Sequence, residues 1–269
     1  MAKKKILLMS DDLRMSSGVG TMSREIVLGT LQHYDWVQIG GAIKHPEDGK
    51  IVDMNDSVRK ELGIEDAYLK IYPVSGYGDP EMVRQITQME GGFDAIVHYT
   101  DPRFWGWFYQ MEHELRQTTP IFYYNIWDDL PYPRWNEPFY ESCDLIMNIS
   151  KQTVAIVNDV WKKNPPEDWQ VTYIPHGINE KHFHPISIFD EEYKQVESMK
   201  KQLTQDSEIK FVVFYNNRNI RRKSPGDVVL AFKTFCDMLS KEEADKCCLL
   251  MHTQPRDENG TDLPVVAST

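Results

Sequence analysis

The chain has 269 residues, enough for one large domain or two small ones, and 41% hydrophobic and 12% aromatic content suffices for a packed core. A formal charge of −11 argues against a general nucleic-acid or membrane-surface binder, which is usually basic. Four cysteines (Cys143, Cys236, Cys247, Cys248) lack metal-ligand spacing, and adjacent Cys247 and Cys248 fall in a predicted strand with alternating faces, so a reduced, cytoplasmic setting is expected.

In chain order, the basic start MAKKKILLMS has too short an apolar stretch for a signal peptide and reads as a first strand, Ile6–Ser10. A helix follows over Thr21–Leu31 and a strand over Trp36–Ala42, then an irregular, charged stretch over Ile43–Ala67. Next come a strand (Tyr68–Val74), a helix (Pro80–Met89), a strand (Phe93–Tyr99) and an aromatic-rich helix (Arg103–Leu115). The first region closes with strands Pro120–Asn125, Leu145–Ile149 and Val171–Ile174 and helices Glu137–Ser142 and Lys151–Trp161. Alternating β and α segments with continuous apolar strands predict an α/β fold whose parallel sheet is covered on both faces. No apolar run reaches the length of a membrane span.

The composition shifts at Ile186–Glu208, a Lys- and Glu-rich segment of helical period. It separates an N-terminal domain (residues 1–185) from a second one beginning at Ile209. That second domain runs strand (Ile209–Tyr215), helix (Asp227–Leu239), strand (Cys247–His252) and a loop-like tail, ENGTDLPVVAST. Roughly sixty residues are too few for a complete nucleotide-binding half-domain. The expectation is a partial half-domain over 209–269, completed by further chain or by a partner.

Phe211–Phe232, FVVFYNNRNIRRKSPGDVVLAF, reads as a strand, a basic loop and an amphipathic helix, with Arg218 and Lys223 five residues apart in the loop. The start of a helix offers unpaired N–H groups and the positive end of its dipole, and Arg with Lys suits a diphosphate. The same residues also fit a solvated basic loop. Two further segments are VTYIPHGINEKHFHP at Val171–Pro185 and DLIMNIS at Asp144–Ser150, followed by Lys151.

In this order and at these separations the three segments resemble signatures of GT-B-fold glycosyltransferases of the group-1 type, which use nucleotide-sugar donors. Val171–Pro185 resembles V-I-P-N-G-V-D-x-x-x-F-x-P, and Arg218 and Lys223 match F-V-G-R-x-x-x-x-K-G. Asp144–Lys151 resembles A-D-x-V-I-x-x-S-x. The resemblance runs from about Lys5 to about Met251. It implies two Rossmann-like domains facing each other, a donor diphosphate on Arg218 and Lys223, and a retaining, metal-independent transfer with no cofactor beyond the donor.

Other site residues follow partly from position and partly from the resemblance. In SSGVG, Gly18 and Gly20 precede the first predicted helix, as a ligand-facing loop or a plain β-α turn. His98, with Asp101, closes a strand at the end where such sheets bind ligands; it is either an acceptor contact or a structural histidine. In YYNIWDDLP, Asn125 stands where the family has a His, and Asp128 is a possible base or hydroxyl acceptor or a turn cap. His176 and Gly177 replace the family's Asn-Gly, with Gly177 expected at positive φ. His182 and His184 lack the partners of a metal set, and none is expected.

The function expected is transfer of a sugar from a nucleotide-diphosphate sugar to an acceptor that is a glycan, lipid, protein or modified base. The alternatives are a non-catalytic GT-B binding or scaffold module and a sugar-nucleotide epimerase.

Overall fold

The computed structural model describes residues 2–42, 44–205 and 208–268. Ile43, where the irregular stretch was expected to begin, and Asp206 and Ser207 in the expected linker lie outside the described residues. The chain divides into two compact units, Met1–Glu180 and Lys181–Thr269.

The first unit runs β1 (Lys4–Asp11), α1 (Gly18–Thr30), β2 (Tyr34–Ala42), β3 (Val52–Asp53), α2 (Asn55–Leu62), β4 (Leu69–Ser75), α3 (Pro80–Glu90) and β5 (Ala95–Tyr99). It continues with α4 (Gly106–Gln110), α5 (Glu112–Leu115), β6 (Ile121–Asn125), α6 (Glu137–Glu141), β7 (Leu145–Asn148), α7 (Lys151–Val160) and β8 (Val171–Tyr173). The strands form one sheet in the order β3-β4-β2-β1-β5-β6-β7-β8, parallel except for β3. The chain winds outward from β1 on one side and from β5 on the other. The carboxyl ends of β1 and β5 therefore flank the crevice where open sheets of this kind bind ligands.

The core follows from the two-residue period of the strands. Leu7 and Met9 of β1 join one apolar cluster with Val83 of α3, Phe108 of α4 and Ile156 of α7. Ile6 and Leu8 join the opposite cluster with Val27 of α1 and Val58 of α2. Both faces are covered, as a parallel sheet requires. Each such side chain contributes about 1.5–3 kcal/mol relative to exposure.

Three expectations change. The irregular stretch contains β3 and α2. The single helix expected over Arg103–Leu115 is a 3-10 turn (Pro102–Trp105) followed by α4 and α5, because Asp101 caps at Arg103 N and Pro102 starts the turn early. The tail carries a short helix, where Asp262 Oδ1 accepts from Val265 N and Pro264 fits a first turn.

The second unit runs α8 (Glu191–Leu203), β9 (Phe211–Asn216), α9 (Pro225–Asp237), α10 (Lys241–Ala244), β10 (Cys247–His252) and α11 (Leu263–Ser268). β9 and β10 pair in parallel, with Phe211 opposite Cys247. Among the described residues of this unit, the buried apolar side chains are those of Pro225 and Leu263. All four cysteines are free thiols. Among the described residues no helix is long and apolar enough to cross a membrane.

Candidate functional site

In the first unit, α1 begins at Gly18 rather than Thr21, so Gly18 and Gly20 lie in its first turn. Ser17 caps the helix: its hydroxyl accepts from Gly20 N at 2.9 Å and donates to Asp11 at 3.1 Å. A Cβ on Gly20 would sit 2.7 and 2.8 Å from the carbonyl oxygens of Met15 and Asp12, so Gly20 is required by packing. Gly18 faces open space within 4 Å, which leaves room for a ligand against the helix start.

The turn is anchored by buried polar groups that the sequence reading missed. Gln38 of β2 donates to Ser10 Oγ at 2.7 Å and to Asp11 O at 2.9 Å, and accepts from Leu13 N. Asp12 is fully buried; Arg14 reaches both its oxygens and His45 Nε2 lies 3.1 Å away. Burial alone would raise the pKa of Asp12, but Arg14 and His45 outweigh it and hold it below the usual range. Asp11 goes the other way, raised by burial against the hydrogen bond from Ser17.

His98 and Asn125 lie inside the first unit, not on its surface. His98 is fully buried at the end of β5, its ring stacked on Tyr123 at 5.3 Å, with Nδ1 2.7 Å from Tyr109 Oη. Burial, opposed by the charge of Asp101, brings its pKa down to about 3, so the ring is neutral near pH 7. Asn125 is also fully buried: Nδ2 donates to Asn148 at 3.1 Å and Oδ1 accepts from Trp127 N at 3.0 Å. Here both are interior polar groups, and neither side chain meets solvent where an acceptor would arrive. Asp128 is exposed, and its backbone carbonyl accepts from Gln152 at 3.0 Å.

His176 stands beside the end of β5, with Nε2 3.3 Å from Tyr99 Oη and its ring edge-on to Tyr99 and Tyr124. Partial burial lowers its pKa. Gly177 is not among the residues at positive φ, so the expected left-handed turn is absent; it borders a cavity of about 230 Å³ with Met22, Glu25, Ile26 and Ile178.

A left-handed turn occurs instead at Gly76-Tyr77-Gly78, with φ of 67°, 69° and 79°. Positive φ is rare for a bulky side chain, so packing must hold Tyr77 there. A Cβ on Gly41 would lie 2.5 Å from its ring, which shows how closely it seats on the end of β2. The two flanking glycines were the sequence signal for this turn.

In the second unit, Arg218 and Lys223 lie in one compact connection between β9 and α9, with Arg221–Lys223 forming a 3-10 turn. Buried Asn219 fastens it: Nδ2 donates to Gln254 O and Thr261 O at 3.0 and 2.7 Å, and Oδ1 accepts from Thr261 N at 2.9 Å. Ser224 precedes α9 at φ 44°, and among the described residues no side chain caps the helix. Arg218 is 67% exposed, with Nε 3.3 Å from Asp257. The backbone N–H of Asn259 and, secondarily, Arg218 hold the Asp257 carboxyl below its usual pKa. Among the described residues, the side chains of Lys223, Arg221 and Arg222 make no ion pair. Cations on a turn leading into an uncapped helix can hold an anionic group.

The chain is similar in fold to known structures of alpha,alpha-trehalose-phosphate synthase (UDP-forming). That from Burkholderia xenovorans, in complex with glucose-6-phosphate, is 12% identical; the match has TM-score 0.59 and covers 98% of this chain and 68% of that one. Those from Burkholderia vietnamiensis (10% identity, TM-score 0.58, 100% and 67% covered) and Burkholderia multivorans (13%, 0.54, 95% and 64%) are similar. The chain has a GT-B-like fold. At such identities the likeness is one of fold, and the chain spans about two thirds of these proteins. No family model matches the sequence, and no curated protein matches it. Within the GT-B-like fold, the parallel sheet of the first unit is the element the comparison shares with the expectation from sequence.

Proposed function

We propose that the protein transfers a sugar from a nucleotide-diphosphate sugar to an acceptor, with retention and without a required metal. The donor diphosphate rests on Arg218 and Lys223 of the second unit; within the first unit, Gly18 leaves room for a ligand at the start of α1. One observation carries the reading: on a GT-B-like fold, the turn between β9 and α9 holds Arg218 at one end and, at the other, Lys223, which is unpaired among the described residues. As the glycosidic bond breaks, negative charge grows on the leaving diphosphate, and fixed cations there stabilise the transition state more than the ground state.

The contact between Arg218 and Asp257 does not oppose this. It is open to water on the arginine side, and such pairs are weak. A diphosphate, with more charge and two-point geometry, displaces the carboxylate. His98 and Asn125 act from the interior by shaping the ends of β5 and β6, and Asp128 and His176 are the residues left to meet an acceptor.

A screen of the protein against a panel of nucleotide sugars, reading release of nucleoside diphosphate, tests the proposal. Turnover of at least one donor, lost in Lys223→Ala, is expected. No turnover and no nucleoside diphosphate binding across the panel would refute it.

A further inference from the structure

Large aromatic side chains gather on the surface at the carboxyl ends of β4, β5 and β6. Phe104 is 51% exposed and lies flat on Tyr77, with centroids 5.0 Å apart and planes 12° apart. Trp135 is 55% exposed and meets Trp127 edge-on at 6.1 Å. The guanidinium of Arg103, next to Phe104, lies 5.0 Å from the centroid of Trp127. Linked rings of this size facing water mark a surface that something covers in use.

The rings are held in place before any ligand arrives. The left-handed turn and the close seat over Gly41 fix Tyr77. The Trp127 indole N–H donates to Asp129 O at 3.2 Å, Leu130 N donates to Asp129 Oδ1 at 2.9 Å, and Gln152 donates to Asp128 O at 3.0 Å. Little conformational freedom remains to be lost on binding.

Charge selects the occupant. Arg103 is doubly bonded to Asp101, and Arg134 is paired with Asp159. The Asp128 carboxylate has no partner among the described residues. The surface thus offers aromatic faces and hydroxyl acceptors, with both of its arginines already neutralised. A pyranose presents an apolar C–H face for a ring and hydroxyls at its rim for carboxylates, whereas a phosphate meets an acidic edge. Lys151, one residue before Gln152, is unpaired among the described residues and is the cation a phosphorylated ligand would have to use.

We propose that Phe104, Trp127 and Trp135 form a shelf for a neutral carbohydrate, which makes the acceptor a neutral glycan rather than a sugar phosphate. This rests on the glycosyltransferase reading and names its acceptor class.

The test is binding of an array of neutral glycans, and of glucose 6-phosphate, to the full chain without donor, followed by tryptophan fluorescence and calorimetry. At least one neutral glycan should bind, and Trp135→Ala and Phe104→Ala should each weaken it about tenfold, a loss typical of a stacking anchor. Their melting temperatures should match the parent, since both rings are exposed. Lys151→Ala should bind the neutral glycan as the parent does. The proposal is overturned if no neutral glycan binds, if both ring variants bind as the parent does, or if glucose 6-phosphate binds more tightly in a Lys151-dependent way. If glycans bind on the shelf while nucleoside diphosphates bind nowhere, the carbohydrate site stands and the donor reading is the one that fails.

Discussion

The crevice between β1 and β5 in the first unit and the turn after β9 in the second sit at the same kind of place, the carboxyl end of a parallel strand. Their charges are handled in opposite ways. In the first, Arg14 is spent on Asp12 and Glu47, and Arg103 on Asp101. In the second, Arg221, Arg222 and Lys223 stay unpaired among the described residues and Arg218 makes one open contact. The support differs too: a two-faced core holds the first, whereas hydrogen bonds from one buried carboxamide, Asn219, hold the second. Paired charges build a surface for neutral groups, and unpaired ones build a seat for anions.

The largest effect should come from the support of the first unit. Glu90, at the end of α3, is buried and accepts from Tyr68 and Tyr72 at 2.6 and 2.7 Å, with Lys5 and Lys70 nearby. Burial would raise its pKa, but the two hydroxyls and the ammonium groups outweigh that and lower it. Glu90→Ala should destabilise the protein by about 2–4 kcal/mol by chemical denaturation. With a lowered folded pKa, the contribution of Glu90 is fully present above its unfolded pKa of about 4.3 and is lost as pH falls through the folded value. Glu90→Gln should therefore flatten the acid limb of the stability curve; an unchanged limb would show that other carboxylates set it.

Next comes Asn219→Ala, which leaves two carbonyls and one N–H without their partner. A loss of about 1–3 kcal/mol is expected, seen as faster amide exchange at Thr261 and in the first turn of α9. Exchange as slow as in the parent would mean that the turn needs no such fastening.

The two glycines of α1 should have effects of opposite sign, and that of Gly18 is the smallest. Gly20→Ala pushes a methyl against two carbonyl oxygens and should lower stability by about 1–3 kcal/mol. Gly18→Ala meets open space and should raise it by about 0.5–1 kcal/mol through helix propensity. If Gly18 faces a ligand, the stabilised variant binds that ligand less well. Melting curves set against binding separate its two roles.

Much of this was legible in the sequence. The alternation of apolar strands and amphipathic helices located the sheet, because β1, β2, β4, β5 and β6 bury side chains on both faces. The basic connection at Arg218–Lys223 was legible because strand, loop and helix are contiguous. His98 and Asn125 were not: local pattern put them at strand ends, but Trp105, Phe108 and Tyr109 from the following segment pack with His98 in the interior. Asp257 gave no signal at all, since its contact with Arg218 spans 39 residues.

The most direct test of the account is calorimetric titration of UDP, ADP and GDP into the parent, Arg218→Ala and Arg221→Ala. A charge-assisted contact is worth about 1.5–3 kcal/mol, so Arg218→Ala should weaken the best-bound nucleotide roughly ten- to a hundredfold. Arg221→Ala should change it much less. Equal, small losses for both would mean a diffuse basic patch and would contradict a diphosphate seat built on Arg218 and Lys223.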